Sequence, residues 1–344
     1  MRVFPPARVA DDVWWRVEDD AAVASVRRAA TALANQLRFD ESRVGEVGIV
    51  VTELATNLRK HAGGGELVLR SPHGTTEGLR ILAIDSGPGS RNIDALISDG
   101  ASTRGTLGIG LGACVRLSNR FDVFSVPAVG TIAEAVLAGT APPTSPVAGT
   151  VAVRADTLTR PLGGEGACGD IAVYRDFPGG LIGMLSDGLG HGPLAADASR
   201  RAAELMLESE LTSPGALLER MHAALGSTRG AAISLLRYDD ATRTVTHAGV
   251  GNVVTRLFGA DSRTLPSQPG IVGHRMPRLR ELAVPLTGRS TAVLHSDGIR
   301  QQWSFDDLPG ALGHEPGVLC ATVMRAAATR RDDASVLVVE MGRS

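Results

Sequence analysis

An α+β fold shared between two domains is what this 344-residue sequence predicts, and three observations predict it. Helical and strand-like segments come in blocks and do not alternate one to one, which argues against a doubly wound parallel sheet. The stretch GTAPPTSPVAG (139–149) sets three prolines among small residues and can support neither a helix nor a central strand, so it reads as a linker. The length itself favours about two domains. The expected division is 1–139, a Pro-rich linker at 140–149, and 150–344.

In the first domain, DAAVASVRRAATALANQLR (20–38) is Ala-rich with apolar residues at helical spacing. DESR (40–43) can cap a second helix that runs to His61. ELVLRS and LRILAIDSG are short apolar strands. GIGLGACVRLSN passes from a Gly loop into a helix, and RFDVFSV and GTIAEAVLA close the domain as two strands. The predicted order is helix, helix, strand, strand, Gly loop, helix, strand, strand. Trp14 and Trp15 are read as packing residues. In the second domain, strands are expected at 150–155, 170–176, 181–186, 231–237, 243–248, 291–296 and 334–340. Helices are expected at 193–209, 214–226 and 316–330, so sheets are flanked by helices.

Hydrophobic residues make up 43% of the chain and charged residues 21%, enough for a sizeable core. The net charge of −2 gives no electrostatic footprint for nucleic acid or an anionic membrane. Cys114, Cys168 and Cys320 are odd in number and far apart, and read as buried small hydrophobes in a reducing compartment. Neither a signal pattern nor an apolar run of about 18 residues is present, so the expected location is cytoplasmic.

Two constellations carry chemistry. In ELATNLRKHAGGG (53–65), Glu53, Asn57 and His61 fall on one helical face. On their own they read equally well as the solvated side of that helix. Three further pieces follow in order. Asp85 opens D-x-G-x-G with Gly87 and Gly89. Gly105, Gly108, Gly110 and Gly112 lead into a helix. Gly130 and Thr131 open the last strand. A glycine loop feeding a helix N-terminus presents backbone N–H groups to phosphates. Together these pieces resemble the N, G1 and G2 boxes of the GHKL ATPase/kinase family over residues 10–138, and in particular its RsbT-like serine-kinase branch. The RsbW-like branch is a weaker match. The resemblance implies a Bergerat ATP-binding α/β sandwich. Asn57 would hold Mg²⁺ beside the ATP phosphates, and Glu53 would take the proton of an attacking serine. Asp85 would accept from the adenine amino group while Gly87 and Gly89 let backbone approach the base. The loop glycines would wrap the phosphates, and Thr131 would assist at the adenine. For Lys60 and His61 a phosphate contact and a plain surface role both stay open.

In the second half, aspartates recur where strands end: Asp170 in CGD, Asp187 in SDGLGHG, Asp297 in HSDGI, and Asp332 in RRDDASVLVV. An isolated D-G is most often a turn. Two of them, each behind an apolar strand, instead suit hard divalent cations, which take several carboxylate oxygens at one point. RPLGGEGACGD, DGLGHG, GVGNV, GIVGHRMPRLR and HSDGI resemble, in order, the metal-dependent PPM phosphatases of the SpoIIE-like branch, in particular its RsbX-like members, over residues 150–341. The resemblance implies an αββα sandwich in which Asp187 bridges two Mn²⁺ or Mg²⁺ ions and is the catalytic centre. The Gly188 carbonyl would contribute to one ion, Asp297 and Asp332 would complete the other, and Asp170 would sit nearby. Asp333 is expected to be structural. His191 is read as a turn-stabilising residue ahead of a proton donor, and Arg160 is the one candidate for the substrate phosphate.

Taken together, the resemblances imply a bifunctional regulator of bacterial partner-switching stress signalling. A Mg-ATP-dependent serine/threonine kinase would be fused to a Mn²⁺/Mg²⁺-dependent phosphatase. The shared substrate would be an RsbS-like STAS-domain antagonist, with an RsbU-like phosphatase or a sigma factor as further candidate partners. The competing expectation makes the first domain an ATP-controlled anti-sigma or STAS-binding module without kinase activity.

Overall fold

The computed structural model describes residues 12–71, 78–93, 97, 110–139, 153–163, 167–260, 262–276 and 278–342. The chain divides into two compact units, one of residues 10–148 with 313–325 and one of 149–312 with 326–344. The segment 313–325, expected with the second domain, groups with the first. There the Glu315 amide donates to Asp122 Oδ2 at 2.7 Å, and the His314 ring lies 2.8 Å from Asp122 Oδ1.

The first unit holds β1 (Val13–Val17), α1 (Asp20–Gln36), α2 (Glu41–Ala62), β2 (Gly65–Arg70), β3 (Leu79–Ile84), α3 (Gly110–Leu117), β4 (Arg120–Val126) and β5 (Gly130–Leu137). Its antiparallel sheet runs β1-β2-β3-β5-β4. Strand β1 departs from the predicted order. It is a five-residue edge strand, VWWRV, paired to β2 alone, and Trp15 packs against the core as expected.

Both long helices begin where a carboxylate can take an orphan amide. Asp19 accepts from Ala22 N at 2.7 Å, and Asp40 from Arg43 N at 2.8 Å. Helix α2 ends at Gly63, whose φ of +73° is the left-handed cap glycine tolerates best. Val47, Val50, Val51, Leu54, Ala55 and Leu58 recur at helical spacing on α2 and are buried. They meet Leu67, Leu69, Ile81, Ala83, Ala135 and Leu137, alternate residues on one face of the sheet. Buried Arg43 fixes α2 from below. It donates to the carbonyls of Leu117 and Ala138, both at 2.7 Å, and pairs with Glu46 and Asn119.

The second unit is built on two antiparallel five-stranded sheets, β13-β10-β9-β8-β7 and β12-β11-β14-β15-β6. The strands are β6 (Val153–Arg160), β7 (Asp170–Phe177), β8 (Gly180–Gly188), β9 (Ala231–Asp239), β10 (Thr244–Val250), β11 (Val254–Gly259), β12 (Arg263–Leu265), β13 (Leu282–Pro285), β14 (Ser290–His295) and β15 (Ala334–Met341). Leu181, Leu185, Leu236, Leu257, Leu294 and Leu337 belong to one core cluster fed by strands of both sheets. A second cluster joins the outer face of β8–β10 to helices α4 (Pro193–Glu208) and α5 (Pro214–Ala224), through Ala198, Ala202, Met206, Leu217 and Met221. The third predicted helix is α6 (Pro316–Ala327).

Candidate active sites

In the first unit, α2 presents Glu53 and Asn57, partly buried and one turn apart, while Lys60 and His61 are exposed near its end. Glu53 faces α3: burial first, and then the Glu53 charge, push the Cys114 thiol up to about 12. Asp85 follows β3 directly. Its Oδ1 accepts from the amides of Gly87 at 2.8 Å and Thr131 at 3.0 Å, and its own amide donates to the Thr131 carbonyl at 2.9 Å. Its Oδ2 takes no hydrogen bond among the described residues. Gly130 is required here: a Cβ would lie 2.2 Å from the Asp85 carbonyl oxygen, and φ is +128°. Ser125 Oγ, 2.8 Å from Thr131 Oγ1, holds the threonine hydroxyl beside Asp85. Gly110 and Gly112 open α3, with Gly112 buried. Gly105 and Gly108 lie outside the described residues. The structure thus brings α2, Asp85, Gly87 and Thr131 into one neighbourhood.

In the second unit, both sheets deliver acids to one end. Asp170 begins β7 and stands opposite Asp187 at the end of β8. Asp297 follows β14, and Asp332 and Asp333 precede β15, the neighbour of β14. Asp333 is buried and structural in its contacts. Its Oδ1 accepts from Leu162 N and its Oδ2 from Gly169 N, both at 2.6 Å. Gly169 is held further by Gly188 N and by Ser199 Oγ, which donate to its carbonyl at 3.0 and 2.6 Å.

The acids feel one another strongly. Burial, and then the charges of Asp297, Asp332 and Asp333, push the Asp187 carboxyl up to about 7. Burial and the Asp187 charge hold Asp170 well above the usual carboxylate range, and Ser296 hydrogen-bonds to it. Burial and Asp332 raise Asp297. Among the described residues, however, no group of three or more His, Cys, Asp or Glu side chains stands in ligating geometry. Two of these carboxylates also make local bonds: Asp332 Oδ1 accepts from the Asp333 amide at 2.9 Å, and Asp297 Oδ2 accepts from Asn252 Nδ2 at 2.7 Å.

The donor set still fits hard divalent cations. All the side-chain donors are oxygens, their mutual repulsion calls for positive charge, and Asp170 Oδ2 is buried without a hydrogen-bond partner. Asn252 is the residue that sequence reasoning missed. Its amide bonds Asp297 and also Asp187, so it sits between the two sheets' acids. The signal was available: a lone amide in GVGNV between two apolar strands, in a segment already picked out as a motif. Arg160, the candidate for substrate phosphate, instead donates to the Thr329 carbonyl at 2.9 Å. His191 is exposed on the loop after Asp187.

Comparison with known proteins bears on both neighbourhoods. Residues 17–135 match the family model of the histidine kinase-like ATPase domain, and residues 178–342 that of stage II sporulation protein E (SpoIIE). Serine/threonine-protein kinase RsbT of Bacillus subtilis (strain 168) is 31% identical over 122 residues, covering 35% of this chain and 92% of that protein. The chain belongs to the RsbT family. Phosphoserine phosphatase RsbX of the same organism is 26% identical over 138 residues, 40% of this chain and 69% of that protein. A solved structure from work on the bacterial stressosome as a modular system superposes with a TM-score of 0.51 at 29% identity, covering 54% of this chain and 98% of that one. RsbX in complex with magnesium superposes with a TM-score of 0.51 at 21% identity, covering 55% of this chain and 96% of that one, a likeness of fold alone. This RsbT relative therefore carries a kinase-type ATPase domain and a SpoIIE/PP2C-type serine/threonine phosphatase domain of the partner-switching kind in one enzyme. Among the described residues no helix is long and apolar enough to cross a membrane.

Proposed function

We infer that the two halves act in opposite directions on one STAS-domain antagonist, the first phosphorylating its serine with ATP and the second removing the phosphate. The observation that carries the phosphatase half of this reading is the convergence of Asp170, Asp187, Asp297 and Asp332 from two sheets, with Asp187 lifted to about 7 by burial and then by the charges of its neighbours. Such a cluster is costly to build and marks a functional centre in the second half.

In the kinase half, Asp85 Oδ2 accepts from the adenine amino group, and Oδ1 stays tied to Gly87 and Thr131 so that the carboxylate cannot swing away. Asn57 holds Mg²⁺ beside the phosphates. Gly105, Gly108, Gly110 and Gly112 are the residues proposed to wrap them, with Lys60 and His61 as the cationic candidates at the rim. Glu53 receives the proton of the serine hydroxyl as its oxygen bonds to the γ-phosphorus and the bond to the β-phosphate oxygen breaks.

In the phosphatase half, Asp187, Asp297, Asp332 and the Gly188 carbonyl are the proposed ligands of Mn²⁺ or Mg²⁺, with Asp170 close by. Bound there, the ions supply a water acidic enough to attack phosphorus at neutral pH. Asn252 orients Asp187 and Asp297, and Asp333 locks the chain around Gly169.

Labelled ATP incubated with the full chain and a STAS-domain protein tests the reading. Label should appear on serine and then be lost as inorganic phosphate when divalent ions are present. Tight complex formation with no label on serine would make the first half a binding module.

A further inference from the structure

We propose that Arg229 is the side chain that seats the substrate's phosphate at the Asp187 loop. The inference rests on the phosphatase reading above and names a residue other than Arg160, the candidate the sequence offered, whose guanidinium is held by the Thr329 carbonyl.

The need is electrostatic. Asp170, Asp187, Asp297, Asp332 and Asp333 gather at one end of the unit. Two divalent cations bring at most four positive charges to those five carboxyls. No surplus of positive charge is left to receive a phosphoserine dianion, so the protein must supply a cation of its own.

Arg229 is placed to supply it. The loop that follows Asp187 runs through Gly188, Leu189 and Gly190, and the Leu189 amide donates to the Gly230 carbonyl at 3.0 Å. That bond sets residue 229 against the loop. The backbone on either side is pinned. Thr228 Oγ1 donates to the Leu225 carbonyl at 2.8 Å, Gly230 N donates to Thr228 Oγ1 at 3.0 Å, and the His274 ring lies 3.1 Å from the Thr228 carbonyl. From this fixed base the side chain reaches over Gly190. A Cβ at residue 190 would stand 3.1 Å from Arg229 Nη1, so the absence of a side chain there makes room for the guanidinium.

The guanidinium is also uncommitted. Arg229 is exposed and makes no hydrogen bond or ion pair among the described residues. Three other arginines are held elsewhere: Arg160 by the Thr329 carbonyl, Arg300 by the Ala326 carbonyl, and Arg201 by Asp197 and Ser227. A planar guanidinium set over Gly190, on the loop that follows Asp187, can match phosphate oxygens two at a time.

The test uses the full chain with Arg229→Ala and Arg229→Lys. Binding of inorganic phosphate to the Mg²⁺-loaded protein is followed by calorimetry, beside kinetics on a phosphoserine protein. Arg229→Ala should weaken phosphate binding about tenfold to a hundredfold and raise KM more than it lowers kcat, with Mg²⁺ binding unchanged. Arg229→Lys should recover part of the loss. Unchanged phosphate affinity in an Arg229→Ala protein that binds Mg²⁺ and phosphate would overturn the proposal, while continued hydrolysis by the wild type would leave the phosphatase reading standing. A raised KM with unchanged phosphate affinity would also overturn it, since that is the mark of a protein-docking contact. Absence of both Mg²⁺ and phosphate binding in the wild type would overturn the two together.

Discussion

Replacing Asp187 with Asn should make the protein more stable and less active at once. In the folded chain its carboxyl is pushed up to about 7 by burial and by Asp297, Asp332 and Asp333, from an ordinary value of 3.8. An acid whose folded pKa is raised contributes nothing unfavourable below pH 3.8. It costs stability progressively as pH rises to 7, because the unfolded chain gives up its proton first. A rise of this size corresponds to a ceiling of about 4 kcal/mol above pH 7. Because four acids share the repulsion, relief at one position should recover about half of that, roughly 2 kcal/mol. Asn keeps an oxygen for the Asn252 amide, so the swap removes charge and little else. For a unit of this size, a gain of that order raises the midpoint by about 4–8 °C. Calorimetric melts at pH 8 would read it in EDTA and in Mg²⁺. The wild type should be the less stable protein in EDTA and should gain from Mg²⁺, whereas Asp187→Asn should start higher and gain little. An Asp187→Asn protein that melts lower in EDTA, or that responds to Mg²⁺ as the wild type does, would refute the reasoning.

Three further outcomes follow from other residues. Glu53→Gln should cut transfer to serine by about a hundredfold to ten-thousandfold while leaving nucleotide affinity nearly intact, read by labelled transfer beside ATP calorimetry. Asn252→Ala removes the amide between Asp187 and Asp297 and should weaken Mg²⁺ binding by about tenfold to a hundredfold, with phosphatase activity recoverable at high Mg²⁺. His247 lies in the core against Ser234 Oγ at 2.9 Å, and burial pushes its ring down to about 4. Its folded pKa lies below its unfolded one, so stability should fall as pH drops from about 6.5 to 4, by about 3 kcal/mol. Denaturant titrations across that window should show this slope, and His247→Leu should flatten it.

The sequence carried much of this molecule in plain view, for reasons that differ by element. Helix α2 was legible because Asp40 caps it, Gly63 ends it and its apolar residues recur at helical spacing. Strands β8, β9, β14 and β15 were legible because strands buried on both faces read as continuous apolar runs. Strands β1, β11, β12 and β13 were not. All but β11 lie at sheet edges, and all are short segments in which polar and apolar residues mix, since solvent covers part of each. The site divides in the same way. Aspartates behind apolar strands announce themselves, but the roles of Asn252 and Arg229 depend on neighbours 45 and 39 residues away in the chain, Asp297 and Gly190, and no local pattern marks such a partner. Arg160 had the right chemistry on a strand whose register gives its guanidinium to Thr329.

The central claim is that one chain both adds and removes the same phosphate, and a single time course tests it most directly. Full chain, labelled ATP, Mg²⁺ and a STAS-domain protein are followed with wild type, Glu53→Gln and Asp187→Asn. Label on serine should rise and fall with the wild type, stay absent with Glu53→Gln, and accumulate without decay with Asp187→Asn. Identical curves for the wild type and Asp187→Asn, or labelling that survives Glu53→Gln undiminished, would contradict it.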